Sequence, residues 1–258
     1  MEDSKDIAGR VAVVTGGTYG IGFAICVTFA KLRCKVLFTG RSKERGEKAQ
    51  VDIVAAAGCP AESITFFQGD VSEEKNAIAM INAAVSAYGK LDFLINNAGI
   101  AESGGPFTEI TSEDFAKVMQ VNVFGTFYCM KHGVIQMKVQ GPPEKGIYAV
   151  VNMSSAIGVT SYPGRLSYAT SKHAIIGMTR TAAKEVAKDK ININAICPGL
   201  VKTPAVEPLA EEVVADIFRR QEIGRMGTCE ETADAVLFAC TNSFMMGHAV
   251  VVDGTWAI

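Results

Sequence analysis

RVAVVTGGTYGIG, residues 10–22, reads as a short apolar strand run directly into a glycine turn, and Phe23–Leu32 continues from it as a helix. Strand, turn and helix in that order are the opening unit of a βαβ fold, and Gly16, Gly20 and Gly22 have a use there. Lacking side chains, they let the backbone turn tightly and approach a pyrophosphate held at the helix N-terminus. The spacing is GxxxGxG, not the more general GxGxxG, so the position after the first strand carries the reading more than the pattern does.

The same alternation continues to the C-terminus. Lys35–Thr39, Ile64–Gln68, Leu91–Ile95, Ile147–Met153, Ile191–Ile196 and Val250–Val252 read as further strands. Between them lie helical stretches: Ser42–Ala57 with Gly58 as its C-cap, and a helix started by Ser72-Glu73-Glu74 that runs to about Tyr88. A long helix capped by Ser112 is stopped by Gly141-Pro142-Pro143, and another passes through Tyr168 and Lys172 to about Lys188. Seven strands alternating with helices predict an α/β fold with one doubly wound parallel sheet. No repeat, linker or low-complexity tract divides residues 1–258, so one domain is expected.

Composition narrows the function classes. The formal net charge of −2 offers no global basic field for nucleic acid or an anionic membrane. No run of 18 apolar residues is present to span a bilayer, and the polar start MEDSKD lacks the apolar core of a secretory signal, so a cytoplasmic location is expected. The seven cysteines contain no CxxC and read as reduced thiols. His132, His173 and His248 show no metal-ligand spacing, and no metal is expected.

A second stretch, SAIGVTSYPGRLSYATSK at 155–172, carries the chemistry. Tyr168 and Lys172 are four apart and share one face of a helix. A neighbouring ammonium favours the phenolate, so Tyr168 is expected to move down from the usual ~10 toward neutrality and serve as a proton donor. Tyr162 has Leu166 where such a lysine would stand. Ser155 follows the fifth strand, at the end of the sheet where open α/β folds place their chemistry. Carbonyl/alcohol redox chemistry is the reading. After the second strand the chain runs Thr39-Gly40-Arg41-Ser42, without the carboxylate that would grip a ribose 2′-hydroxyl. Arg41 suits a 2′-phosphate, which favours NADP(H), with NAD(H) open; Tyr19 stands where a second basic residue would strengthen that choice.

Together Thr15–Gly22, Asn96–Gly99, Ser155, Tyr168-Ala-Thr-Ser-Lys172 and Pro198-Gly199 resemble the short-chain dehydrogenase/reductase family, over about Gly9 to Trp256. The resemblance implies a Rossmann-type fold and a catalytic set of Asn122, Ser155, Tyr168 and Lys172. Ser155, 13 residues before the tyrosine, takes the serine role and Ser154 is left structural. Asn122 would hold a water linking Lys172 to solvent. Cofactor contacts are implied for Gly16, Thr18, Tyr19, Gly20 and Ile21 in the turn, and for Arg41 and Ser42 beyond the second strand. Asp70 and Val71 would meet the adenine and Asn97, Ala98 and Gly99 line the cleft. Tyr168 and Lys172 also touch the cofactor, while Pro198, Gly199, Val201 and Thr203 hold its nicotinamide end. Residues 204–225 resemble the family's mobile substrate loop.

Ala156, Ile157, Tyr162, Pro163 and Val206, expected near the substrate, are mostly apolar and suit a hydrophobic ketone or alcohol, as in a carbonyl reductase. A 3-oxoacyl-[acyl-carrier-protein] reductase is the leading alternative, with Lys184, Lys188 and Lys190 as a landing surface that Glu185 and Asp189 dilute. An NAD-dependent steroid or polyol dehydrogenase also remains open. A non-enzymatic, dinucleotide-sensing scaffold is opposed by the intact set. The resemblance further implies a homotetramer, or a dimer, through helices Ser112–Met137 and Leu166–Lys188. Ala169, Ala174, Ile175, Ile176 and Met178 make the latter apolar on more than one face, and Val250–Val252 with Trp256 form another contact. Gln140–Gly146 is an exposed feature without an assigned role.

Overall fold

The structure, a computed structural model, describes residues 7–204, 206 and 211–257. Its strands are β1 (Val11–Val14), β2 (Lys35–Gly40), β3 (Ile64–Gln68), β4 (Phe93–Asn96), β5 (Tyr148–Met153), β6 (Ile191–Pro198) and β7 (Ala249–Val252). The helices are α1 (Gly20–Lys31), α2 (Lys43–Ala57), α3 (Glu74–Tyr88), α4 (Ser112–Met119), α5 (Gly125–Val139), α6 (Leu166–Val186), α7 (Glu211–Arg220) and α8 (Cys229–Thr241). The strands form one parallel sheet in the order β3-β2-β1-β4-β5-β6-β7, a Rossmann-type arrangement. Its order reverses between β1 and β4, and a crevice opens there beyond the strands' carboxyl ends.

Unbroken apolar runs such as VAVV in β1 are buried at every position, as strands covered on both faces must be. Alternate side chains serve opposite cores. Val14, Phe38, Ile95 and Val151 pack with Ile25 and Phe29 of α1, Ile53 of α2 and Val236 of α8. Val13, Leu37, Leu94 and Val150 pack with Met80 and Ile81 of α3, Met137 of α5 and Val186 of α6.

Local signals place most element ends. Ser42 caps α2 by accepting from the Arg45 amide, and Gly58 closes it in the left-handed region. Three expectations are corrected. Ser72 does not cap α3, which begins after Glu73; its N–H donates instead to Asp70 Oδ1. Thr111, and not Ser112, caps α4, by accepting from the Asp114 amide. The long helix is also not continuous α-helix: Gln120–Phe124 form a π turn between α4 and α5, with the Gly125 amide bonded to Gln120 O. α8 adds a helix beyond those expected, and Thr228 and Glu231 form a reciprocal capping box at its start. The residues that make α6 apolar on more than one face are in large part turned inward. Ile175 and Ile176 are buried, and Met178 packs on the core. Among the described residues no helix is long and apolar enough to cross a membrane.

Candidate active site

The glycine turn is built to leave room. Gly16 and Gly20 have φ of +68° and +58°, where L side chains are rarely found, and a Cβ on Gly22 would lie 2.2 Å from Gly16 O. The turn is tied to β4 across the order reversal. Thr15 Oγ1 accepts from the Asn97 and Ala98 amides at 3.0 Å each, and Asn97 Nδ2 donates to Thr15 O and Gly16 O at 3.0 and 3.1 Å. α1 then starts with no side-chain cap and no carboxylate in its first turn, so its leading amides are open to an anion.

At the β2–α2 corner Arg41 and Arg45 are exposed, and neither has a carboxylate partner among the described residues. Arg45 was not singled out in the sequence, yet one helical turn beyond Arg41 it supplies a second cation at the same corner. Asp70 is oriented by the Ser72 amide, which donates to Oδ1 at 2.9 Å, and by Asn76 Nδ2, which donates to its carbonyl.

These groups open on a cleft of about 770 Å³ over the sheet's carboxyl ends. Every residue expected to touch the cofactor, from Gly16 to Thr203, lines it, as does Ser155. Asn122 does not. It is fully buried in the π turn, where its side chain accepts from the Ile100 amide, donates to Ile100 O and donates to Ser171 Oγ, at 2.8, 2.8 and 3.0 Å. Its Oδ1 and Lys172 Nζ would lie 3.3 and 3.5 Å from a Cβ on Gly99, so a glycine there leaves room for both groups.

Ser155 Oγ accepts from the Ile157 amide at 3.2 Å, and its hydroxyl acts to lower the Tyr168 phenol's pKa. Ser154 is turned the other way, and its Oγ donates to Lys172 O at 2.8 Å, fastening α6 to the end of β5. Lys172 Nζ donates to Met153 O at 2.7 Å and sits 5.4 Å from the Tyr168 ring centre. Burial lowers the Lys172 ammonium to about 8. The expectation that Tyr168 is brought down toward neutrality is corrected: burial holds its phenol above the ordinary value, outweighing the Ser155 hydroxyl and the Arg165 charge that pull it down, while Glu102 pushes it further up.

The outer wall is apolar. Ile157, Tyr162 and Val206 line it as expected, joined by Val213 and Ile217 of α7. Ala156 is fully buried and Pro163 is exposed outside the lining. Trp256, expected at a subunit contact, lines the cleft and packs edge-on against Tyr162 with ring centres 5.8 Å apart. Tyr162 Oη donates to Asp216 Oδ2 of α7 at 3.0 Å. Of the segment foreseen as a substrate loop, residues 205 and 207–210 lie outside the described residues.

Sequence reasoning passed over Glu102 and Arg165. Both line the cleft, and the Glu102 carboxylate accepts the Tyr168 N–H. The arrangement therefore offers an anion cradle at one end, a phenol with an adjacent hydroxyl and amine at the other, and an apolar chamber beside them. A nicotinamide dinucleotide fits it, since the glycine turn, the uncapped α1 and the paired arginines match its phosphates.

Residues 10–213 match the family model of the short chain dehydrogenases. An uncharacterized oxidoreductase of Thermotoga maritima is 37% identical over 254 residues, covering 95% of this chain and 96% of that protein. A 2,5-dichloro-2,5-cyclohexadiene-1,4-diol dehydrogenase of Sphingobium indicum is 34% identical over 255 residues, covering 97% and 98%. The crystal structure of a 3-ketoacyl-(acyl-carrier-protein) reductase from Brucella melitensis complexed with NADH superimposes with a TM-score of 0.87 at 28% identity, over 97% of this chain and 99% of that one.

Proposed function

The chain belongs to the short-chain dehydrogenase/reductase family, and from that premise we propose that it is an NADP(H)-dependent enzyme interconverting an apolar ketone or aldehyde and its alcohol. One observation carries the reading: Tyr168, with Lys172 Nζ 5.4 Å from its ring, lines one cleft with Ser155 and the glycine turn.

The bound dinucleotide supplies the hydride in the reductive direction. Tyr168 gives its phenolic proton to the carbonyl oxygen as that oxygen gains charge, and Ser155 donates to the same atom and orients it. Burial keeps the phenol protonated until that moment, which suits a proton donor. Lys172 faces the phenolate that results. Asn122 holds Ile100 and Ser171, and so the floor beneath both groups.

NADP(H) is favoured by Arg41 and Arg45, which line the cleft at this corner while Glu44 between them stays outside the lining. The wall of Ile157, Tyr162, Val206, Ile217 and Trp256 favours a compact apolar substrate, of which a ring alcohol is one. The basic residues considered for an acyl carrier, Lys184, Lys188 and Lys190, begin 16 residues beyond Tyr168, roughly 24 Å along the helix and at the wrong end of the sheet. In this reading α7, which carries Val213 and Ile217 of the apolar wall, is the part of the foreseen substrate loop that covers the chamber.

A spectrophotometric screen of NADPH and NADH against cyclic and open-chain ketones, quinones and oxoacyl thioesters tests it. NADPH oxidation with apolar ketones is expected, and Tyr168→Phe lowers turnover by ~10²–10⁴ while dinucleotide affinity stays near wild type. No oxidation of either dinucleotide by any substrate, or normal turnover in Tyr168→Phe, overturns the proposal.

A further inference from the structure

We propose that Glu102 and Arg165 are a pair of positioning residues for Tyr168, which together clamp the first turn of its helix and place two opposite charges beside it. The proposal rests on Tyr168 being the proton donor argued above.

α6 begins at Leu166 with Arg165 in the N-cap place, and Arg165 makes no side-chain cap; the first turn holds no acid either. The missing acceptor comes from far along the chain. Both Glu102 carboxylate oxygens lie 3.2 Å from the Tyr168 amide, the third amide of the helix, where an N-cap side chain ordinarily binds. Tyr168 is thus held at its own backbone by a carboxylate 66 residues earlier. Arg165 returns the contact, since its Nη1 donates to Glu102 O at 2.6 Å.

The loop carrying Glu102 is anchored on both sides of it. Asn122 grips Ile100 through both its amide and its carbonyl, and the Gly105 amide donates to Gly164 O at 3.2 Å. A solvated loop glutamate would need neither tie. The groups facing Tyr168 are then Glu102 from the loop after β4, Arg165 and Lys172 from α6, and the Ser155 hydroxyl from the turn after β5. From α7, Asp216 is bonded to Tyr162, which packs in the same cluster. The Glu102 charge disfavours the phenolate and the Arg165 charge favours it, so the two work against each other on one proton.

Glu102→Gln keeps an acceptor for the Tyr168 amide and removes only the charge; Arg165→Gln removes the opposing charge; Arg165→Lys keeps a cation. Each is titrated without cofactor or substrate by ultraviolet difference spectroscopy, with the same variant carrying Tyr168→Phe subtracted to isolate the one phenol. The pH profile of kcat/KM for alcohol oxidation is measured alongside. In both readouts the Tyr168 transition moves to lower pH in Glu102→Gln and to higher pH in Arg165→Gln, with Arg165→Lys close to wild type. A transition unmoved in either glutamine variant, or moved the same way in both, overturns the pair. Turnover that is absent in wild type while the opposed titration shifts persist would count against the redox reading instead. Thermal melts show which variants are folded, and Glu102→Gln with Arg165→Lys decides the matter if Arg165→Gln is not.

Discussion

Lys172 carries its charge where water barely reaches, at 4% exposure, and burial brings its pKa from 10.5 to about 8. Below pH 8 the folded and unfolded chains both hold this proton, and the cost of burying the charge is borne in full. Between pH 8 and 10.5 the folded chain releases it first, the unfolded chain binds more protons, and stability from this group rises with pH. The wild type should therefore gain about 3 kcal/mol relative to Lys172→Met across that window, read from denaturant midpoints at stepped pH. A parallel pH dependence in the two proteins would contradict the assigned burial. Spacing alone put Tyr168 and Lys172 on one face, so their proximity was legible in the sequence. The direction of the phenol's shift was not, because burial and the approach of Glu102 are products of the folded chain and leave no mark at positions 168 and 172.

The β2–α2 corner shows how far element ends can be read. Ser42 as cap and Gly58 as stop follow from side-chain chemistry, and both stand in the structure. Arg45 escaped notice because a helix-surface arginine looks like any solvated charge until the cleft is seen beside it. Arg41→Ala and Arg45→Ala should each raise KM for NADPH by about 10–100-fold, the worth of one or two charge-assisted hydrogen bonds, with KM for NADH unchanged. Equal losses with both dinucleotides would assign the arginines to general phosphate attraction. The π turn at Gln120–Phe124 was hidden for a different reason: its residues keep the apolar pattern of a helix, and only the displaced hydrogen bond to Gln120 O reveals the extra residue that turns Asn122 inward. α8 is legible after the fact from Thr228-x-x-Glu231 ahead of an apolar run, a capping signal of the ordinary kind.

Across the whole molecule the alternation of apolar runs and helices carried the sheet, since seven such runs become its seven strands. It did not carry which faces stay uncovered. Phe124 and Phe127 are 46% and 42% exposed and both pack at a tilt against Tyr128, and Ile135 and Val139 extend the stripe along α5. We propose this stripe, and not the interior-facing isoleucines of α6, as the seat of a second copy. Phe124→Asp with Phe127→Asp should reduce the sedimenting species to a monomer, and an unchanged sedimentation coefficient would place the contact elsewhere.

The knot of Thr15 with Asn97 has a mechanical outcome for ligand traffic. It rivets the two halves of the sheet along the line where a clamshell would have to swing, which opposes any parting of the halves. Ligand traffic is then expected above the sheet's rim, where α7 is tethered through Asp216 and Tyr162. Amide exchange at residues 15–17 and 95–98 should stay slow with and without dinucleotide, while the amides of α7 slow on binding.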